Sequence, residues 1–484
     1  MSSVRENSIV TEETKDRKLS KEKGKKGIQL PHIYVLLVLI ITVCAAASWI
    51  LPAGEFDRAV NEAGKLLVVP GTYHAVDKNP VGIFKMLQSI YDGMVDASGV
   101  VFFVFISYAS IGLIIKTGAF NGLVTGLLRL IKGKTRVIII PIFITIIGAS
   151  ASTIGLFEET FPFIPIFVGI AIAMGYDALV GLAIVALGAG LGYSGAVMNP
   201  FTVGMAQSIA EVPQMSGVGF RIFCHLTMIA VSSVYIMRYA LKIQADPTKS
   251  LLYGMSSAHN EMDPSDLDKH PFGWREKMVL AILAVGICII VYGTKIYGWY
   301  FSELSAVFLA MGILSSIIMG WGPNNIAEKI AESFKDIAMA CMMIGLARGI
   351  LIVLQDGKII DTVIYSLSIP LSTLPRWLAA EAMLPVQTFL NFLIPSGSGQ
   401  AVVSMPIMAP LSDLLEIPRQ IAVLAYQFGD GLSNVMWPTA FAPVICGIAG
   451  IKVQTWWKWF LPLFGLLLLT QMALIALALF TGFM

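Results

Sequence analysis

The sequence NFLIPSGSGQAVVSMP, residues 391–406, interrupts a long apolar region near the C-terminal end of the chain. These 16 positions hold two prolines, three serines and two glycines. Proline and glycine both destabilise the interior of a helix. The stretch therefore predicts a break in a helix that is otherwise apolar enough to lie within a membrane.

The composition indicates an integral membrane protein. Of 484 residues, 56% are hydrophobic and 13% are charged, whereas about a quarter of the residues in soluble domains are charged. The length has room for roughly ten apolar segments of about 20 residues each. The five cysteines lie in apolar segments without the spacing of metal ligands, and we expect neither a metal ion nor a cofactor.

Positively charged residues set the predicted orientation. Residues 1–30 contain eight lysines and arginines. Because such residues are enriched on the cytoplasmic side, we expect a multi-pass protein of the cytoplasmic membrane with its N-terminus in the cytoplasm. The predicted organisation is a cytoplasmic basic tail at 1–30, a first transmembrane helix and external loop at 31–80, a first repeat at 81–242, a cytoplasmic linker at 243–275, linking transmembrane helices at 276–322 and a second repeat at 323–484.

Three pairs of similar segments indicate an internal repeat. GAGLGYSGAVMNP at 188–200 resembles GDGLSNVMWP at 429–438, and GLIIKTGAF in the first half resembles GILIVLQDGKI in the second. Each half also places a serine ten residues before a proline, at Ser152 and at Ser396. Because the matches occur in the same order, we expect two repeats, and an odd number of crossings between corresponding points would make them inverted.

Each half predicts a re-entrant helical hairpin, at 137–173 and at 377–414. Both segments reach a tip rich in small residues and return through prolines, and both are too short to cross the membrane twice. Further along, Gly-x-Gly followed by Asn-Pro or Trp-Pro interrupts a second helix. Because unpaired backbone is costly in hydrocarbon, we expect the breaks to line an internal cavity that binds a small ion or metabolite. The alternative is that the glycines only permit close helix packing.

The predicted fold is therefore all-α and polytopic, with two inverted repeats that each contain a re-entrant hairpin and a broken transmembrane helix. The polar residues at the tips and breaks are the candidate substrate-binding residues. They are Ser150, Ser152, Thr153, Glu158, Glu159, Asn199, Thr202, Ser396, Ser398, Gln400, Asp430, Ser433, Asn434 and Thr439.

Three of these candidates are acidic: Glu158 and Glu159 after the first tip, and Asp430 in the second broken helix. A carboxylate at the bilayer centre costs about 2.5–3.5 kcal/mol on insertion scales, so each needs a partner. They would bind a cationic group of the substrate or carry a coupling proton. Alternatively, one glutamate caps a half-helix or pairs with Arg348, which itself would either hold a substrate carboxylate or form a structural ion pair.

Several motifs together resemble one transporter family. PAGEF after the first helix, EE after the first tip, MNPF, SGSGQA, MPIMAPL and QFGDG look like the YfcC-type transporters, which belong with the anaerobic four-carbon dicarboxylate carriers in the ion transporter superfamily. The similarity covers nearly the whole chain. It implies an inverted-repeat fold with two hairpins, a scaffold part that forms a homodimer and a moving transport part. It also implies a basic amino acid antiporter of the arginine/ornithine type.

A secondary transporter that works by alternating access fits these features best. A channel would need wide polar spans, and an enzyme would need a nucleophile–base pair or a metal cluster; the sequence predicts none of these. GLGYSG at 190–195 does not follow a strand, and position 128 is leucine where a P-loop needs glycine, so no nucleotide site is expected. Transport must then draw on gradients or on exchange.

The predicted substrate follows from the charges. Acidic candidates outnumber the single Arg348, and acidic walls would repel the two carboxylates of a dicarboxylate. We therefore expect a basic amino acid that is exchanged for a similar one, within a lipid bilayer and without nucleic acid. The alternative is ion-coupled symport, or exchange, of dicarboxylates or short-chain carboxylates, with coupling to protons or to sodium left open.

Overall fold

Helices make up nearly all of the structure, a computed structural model that describes residues 31–60, 66–119, 133–255 and 273–483. The predicted basic tail and most of the predicted linker lie outside the described residues. Within them, 17 α-helices follow one another: α1 (Ile33–Ile50), α2 (Ile83–Asp96), α3 (Ser98–Lys116), α4 (Ile139–Thr153), α5 (Ile164–Ala173), α6 (Ala178–Ser194), α7 (Val203–Ile209), α8 (Val218–Ala245), α9 (Trp274–Tyr297), α10 (Phe301–Ile318), α11 (Pro323–Asp356), α12 (Ile360–Ser372), α13 (Arg376–Leu393), α14 (Gly397–Leu414), α15 (Arg419–Gly431), α16 (Ala442–Ile448) and α17 (Val453–Thr481).

Eight segments of the described chain are long and apolar enough to span a membrane. They contain α1, α3, α4, α8, α9, α10, α11 and α17. The core helix α6 is also apolar but shorter, and it is buried along nearly its whole length by other helices. The prediction of a helical, polytopic membrane protein is confirmed.

Four short strands in the loop after α1 are the only part of the described chain that forms a sheet. β1 (Gly54–Glu55) pairs with β4 (His74–Ala75), and β2 (Arg58–Val60) pairs with β3 (Leu66–Val68), both antiparallel. Strands of two or three residues are too short to show the alternation of polar and apolar residues that marks a strand. These strands form because main-chain groups from separate parts of the loop pair with each other.

An ion pair between the half-exposed Arg58 and the buried Asp361 fastens this loop to the start of α12. The Asp361 carboxylate is 1% exposed and accepts two hydrogen bonds from Arg58 Nη2, at 3.0 and 2.8 Å. It accepts a third from the Phe56 amide at 3.1 Å. The Tyr73 hydroxyl lies 3.0 Å from Thr362 Oγ1 beside it. The loop is therefore fixed against the helix that leads into the second predicted hairpin.

Asp361→Ala should lower the apparent Tm of the detergent-solubilised protein. The change leaves Arg58 and the Phe56 amide without their partner, which costs about 1–3 kcal/mol. Asp57→Ala is the matched control, since Asp57 is exposed and only 3.8 Å from His74; its expected effect is within about 0.5 kcal/mol. Equal melting temperatures for the two variants would show that the loop is not held in this way.

The helices pack into two bundles. In the first bundle, α11 packs against α1, α2 and α3, and α10 packs against α3 and α9. In the second bundle, α4 and α5 both pack against α6, while α13 and α14 both pack against α15, and α6 packs against α15. In the second bundle, each predicted hairpin thus lies against the broken helix that follows it.

The two predicted hairpins contain helix, break and helix. The first break comprises residues 154–157 and the second 394–396, and the helices after the hairpins break at 195–202 and 432–441. Strand β3 of the loop contacts α14, the second helix of the second hairpin. Asp177, after the first hairpin, instead accepts hydrogen bonds from Tyr239 and Ser250 close to the linker. These contacts agree with an inverted repeat, which stays a prediction.

The first break lies later in the chain than the predicted tip. Ser150 and Thr153 remain in the last turn of α4, where their hydroxyls donate to the carbonyls of Ile147 and Ala149 at 2.7 and 2.6 Å. Bonds of this kind to the preceding turn are compatible with a helix. The chain turns instead at Gly155, whose φ of +86° is accessible to glycine.

Candidate substrate-binding site

A cavity of about 370 Å³ lies between the two bundles. The first bundle contributes the junction of α2 and α3, the start of α10 and one turn of α11. The second bundle contributes the residues after the first break, the second hairpin tip and the ends of both broken helices. The second tip and both helix breaks that were predicted from the sequence therefore contribute to one cavity, whereas the first predicted tip, 150–153, does not.

Half of the predicted binding residues line this cavity. They are Glu158, Glu159, Thr202, Ser396, Ser398, Asn434 and Thr439. The others lie outside the lining: Ser150, Ser152, Thr153, Asn199, Gln400, Asp430 and Ser433.

The two glutamates have different surroundings. Glu159 is 6% exposed, and its carboxylate accepts a hydrogen bond from the Phe157 amide at 2.8 Å, which caps the turn after the first break. Within the described residues, the Glu158 carboxylate forms no ion pair or hydrogen bond with another residue. Glu158 is thus the carboxylate that is available to a ligand.

Arg348 pairs with an acid that the sequence analysis did not consider. Its Nε donates to the Asp96 carboxylate, and both side chains line the cavity. Asp96 ends α2, just before the break at Ala97. Since this pair is neutral as a whole, ionisation of either glutamate gives the cavity a surplus of negative charge.

The N-terminus of α14 reaches the cavity at the second hairpin tip. Ser396 is its N-cap, and the Ser396 hydroxyl accepts from the Gly399 amide at 3.3 Å. The first amides of a helix have no partner within the helix and carry partial positive charge. Gly397 and Ser398 stand at this end and line the cavity, so their amides suit a carboxylate group.

A hydrogen-bonded cluster lies directly behind this tip. Asp430 is fully buried, and its Oδ1 accepts from Asn391 Nδ2 at 3.0 Å and from Asn434 Nδ2 at 3.1 Å. The Ser433 hydroxyl donates to Asn391 Oδ1 at 2.6 Å. A Cβ added to Gly397 would lie 2.9 Å from Asp430 Oδ2. The cluster therefore connects α13, the break after α15 and the tip.

Other predicted residues hold the first break in place. The Ser152 hydroxyl donates to the Gly195 carbonyl and accepts from the Val197 amide, both at 3.0 Å. Asn199 donates to the Ala151 carbonyl at 3.2 Å. These residues join the first hairpin to the broken helix α6, so their polar groups serve the protein backbone.

A direct hydrogen bond also joins the two broken helices. The Ser194 hydroxyl, at the end of α6, accepts from the Leu432 amide, at the end of α15, at 2.9 Å. Gln427 donates to the Ala196 carbonyl at 3.2 Å. Gly431 packs against the Ser194 backbone so closely that an added Cβ would lie 2.1 Å from the Ser194 nitrogen.

Sequence reasoning missed the aromatic part of the lining. Phe157 lies with its ring centroid 4.7 Å from that of Tyr193 and 5.4 Å from that of Phe441, and Tyr300 faces Phe201 at 5.9 Å. All five rings line the cavity. Aromatic residues are frequent in apolar helices, and no motif distinguishes these from the others.

One family model matches nearly the whole chain. The model of the DcuC family, described as C4-dicarboxylate anaerobic carrier, matches residues 30–480. An uncharacterised protein of Haemophilus influenzae is 30% identical, over 92% of this chain and 96% of its own. YfcC of Escherichia coli K12, provisionally named a basic amino acid antiporter, is 26% identical, over 96% of this chain and 99% of its own.

Two solved structures have distant likeness to the chain. MtrF of Neisseria gonorrhoeae, described among antimetabolite efflux pumps, is 16% identical with a TM-score of 0.46, covering 94% of this chain and 96% of its own. The YdaH transporter of Alcanivorax borkumensis is 14% identical with a TM-score of 0.43, covering 94% and 99%. With both TM-scores below 0.5, neither likeness adds to the argument about fold or function.

Proposed function

Because the chain belongs to the DcuC family of C4-dicarboxylate anaerobic carriers, it is a multi-pass membrane transporter, and we propose that it exchanges basic amino acids across the cytoplasmic membrane. The observation that carries this proposal is the charge of the cavity. Glu158 has no ionic partner among the described residues, while Arg348 is occupied by Asp96. A ligand with a cationic end would restore neutrality.

The two ends of a basic amino acid match two parts of the cavity. The α-carboxylate would accept hydrogen bonds from the N-terminus of α14, together with the hydroxyls of Ser396 and Ser398. The ammonium or guanidinium group would form a charge-assisted pair with Glu158. The aromatic rings around the glutamates add favourable contacts for a cation. The provisional name of the Escherichia coli relative supports the same substrate class.

Alternating access is supported by the position of the cavity between two separately packed bundles. Movement of one bundle against the other would expose the cavity first on one side of the membrane and then on the other. In this proposal the second bundle, with both hairpins, moves, and the first forms the scaffold of a homodimer. The basic N-terminal tail would lie in the cytoplasm.

A dicarboxylate is the second candidate, favoured by the family description and by Arg348. If Asp96 released Arg348, the guanidinium could bind one carboxylate and the end of α14 the other. The glutamates would then have to be protonated, since two acids beside a dianion repel it.

Counterflow into proteoliposomes should separate the two candidates. Vesicles loaded with ornithine should accumulate labelled arginine, and excess external arginine, lysine or ornithine should suppress the uptake, whereas succinate should not. Protein-free vesicles are the control. If succinate supports counterflow and the basic amino acids do not, the proposed substrate is wrong and the carboxylate alternative holds.

A further inference from the structure

We propose that Asp430 is a proton-binding site, and that its protonation lets the carrier return without a counter-substrate. This adds a proton-coupled mode of transport to the exchange proposed above. The inference rests on that proposed function for the substrate used in the test, arginine. The proposal rests on the hydrogen bonds, the burial and the position of one carboxylate.

The Asp430 carboxylate is only half satisfied. Oδ1 accepts hydrogen bonds from two amide groups, those of Asn391 and Asn434. Oδ2 is fully buried and has no hydrogen-bond partner within the described residues. Amide donors are neutral, so they stabilise a carboxylate without cancelling its charge.

Cationic side chains are missing from the described surroundings of this carboxylate. The titratable groups that interact with it electrostatically are Tyr426 on its own helix, Tyr193 of α6 and Glu158 after the first break. Glu158 would add repulsion if both acids were charged. Among the described residues, no lysine, arginine or histidine pairs with Asp430.

A buried cation contacts α15 one turn before Asp430: the Arg221 guanidinium of α8 donates to Gln427 and Gln420 of α15 and forms no ion pair with Asp430. The remaining elements packed against α15 present uncharged groups near Asp430. From α13 comes Asn391, from the tip of α14 comes Gly397, and from the start of α7 comes Thr202. Helix α17 contributes Gln471, which lies 3.4 Å from the Phe428 carbonyl. A charged Asp430 would therefore be an uncompensated buried ion, and a proton is the simplest way to neutralise it.

The position of Asp430 connects this proton to the transport cycle. Gly397 separates Oδ2 from the cavity: its backbone lines the cavity, and an added Cβ would lie 2.9 Å from Oδ2 and 2.8 Å from Thr202 Cγ2. The Thr202 hydroxyl is itself buried without a partner in the described part of the chain. A small displacement of the tip would open Oδ2 to water in the cavity.

The cycle balances as follows. With substrate bound, its cationic group offsets the negative charge of the site and Asp430 gives up its proton. After the substrate leaves, the carboxylate takes one proton from that side, so that the empty site carries one negative charge fewer when it moves back. The proton is released when the next substrate binds on the other side. One proton therefore moves inward for each substrate molecule that moves outward.

Proton movement can be measured directly in proteoliposomes. Vesicles containing arginine and the pH indicator pyranine, with the membrane potential clamped by potassium and valinomycin, are diluted into arginine-free buffer at pH 7.5. We expect the lumen to acidify by about one proton per arginine lost. Arginine efflux without acidification, or efflux that requires sodium instead, would overturn the proposal.

A wrong substrate assignment and a wrong proton-binding site give different results in these experiments. If counterflow shows that succinate and not arginine is carried, the same measurement is made with succinate. Protons that move with succinate, at a ratio that Asp430→Asn lowers, then support Asp430 as the proton-binding site, even though the basic amino acid assignment and the antiport cycle built on it have failed.

Asp430→Asn assigns the proton to this residue. The substitution preserves the size of the side chain, and we expect the number of protons moved per substrate molecule to fall at least tenfold. Asp413→Asn is the matched control, because Asp413 is an acid at the far end of α14 that binds Arg419; its ratio should equal that of the wild type. A wild-type ratio in Asp430→Asn would refute the assignment. If that variant does not fold, as judged by gel filtration in detergent, the same ratio is measured with Asp430→Ser, which is smaller and equally without an ionisable group.

Discussion

Glu158→Gln should weaken the binding of arginine by roughly 10- to 150-fold. A hydrogen bond to a charged group contributes about 1.5–3 kcal/mol, and each 1.4 kcal/mol corresponds to a factor of ten in affinity. Glu158 is the cavity acid without a described partner, so a neutral amide removes the group that offsets the ligand's positive charge. The concentration dependence of counterflow measures the effect.

Glu159→Gln is the matched control for this prediction. Its carboxylate already accepts the Phe157 amide, and a glutamine oxygen can accept the same bond, so we expect a several-fold effect at most. The sequence alone did not distinguish the adjacent glutamates. Unchanged arginine affinity in Glu158→Gln would contradict the role of this residue in binding the cation.

Gly397→Ala should reduce the transport rate at least tenfold while the protein remains folded. The φ of Gly397 is not in the left-handed region, so alanine is permitted by the backbone. The added methyl would lie 2.9 Å from Asp430 Oδ2 and 2.8 Å from Thr202 Cγ2, and both of those side chains are fully buried. Overpacking of this kind costs about 1–3 kcal/mol, and it would displace the tip from its position beside Asp430 and Thr202.

Gly399→Ala tests whether the effect is specific to that contact. Its added methyl would meet only the Ser396 side chain at 3.2–3.3 Å and Ile394 Cγ2 at 3.6 Å, and Ser396 faces the cavity and can adjust. Initial rates of counterflow, normalised to the amount of reconstituted protein, compare the two variants. Similar rates for Gly397→Ala and the wild type would mean that tip packing does not limit transport.

The sequence predicted the breaks better than it predicted their partners. Proline and glycine act on the local backbone, so the tips and broken helices follow from composition. Ser152 and Asn199 were marked as candidate ligands because they are polar residues beside a break, yet their bonds go to carbonyls and amides of the protein. Which partner a hydroxyl or amide finds depends on tertiary contacts that a single sequence does not specify.

The same limit explains the ion pair between Arg348 and Asp96. The two residues are far apart in sequence, and they meet because α2 packs against α11 at Gly93, where an added Cβ would lie 2.5 Å from the Gly345 carbonyl. The sequence offered Glu158 and Glu159 as partners of Arg348, since they were the acids nearest a predicted break. Close glycine packing decided between them and Asp96.

The bond between Ser194 and Leu432 has a consequence for how tightly transport is coupled. Because the ends of α6 and α15 are joined there, and Gly431 lets the two backbones pack in direct contact, we expect the breaks to move together as a single hinge. Two independent gates can both stand open by chance and let solute leak down its gradient. A single hinge has no such state, so gradients held across this membrane would not be dissipated by the carrier at rest.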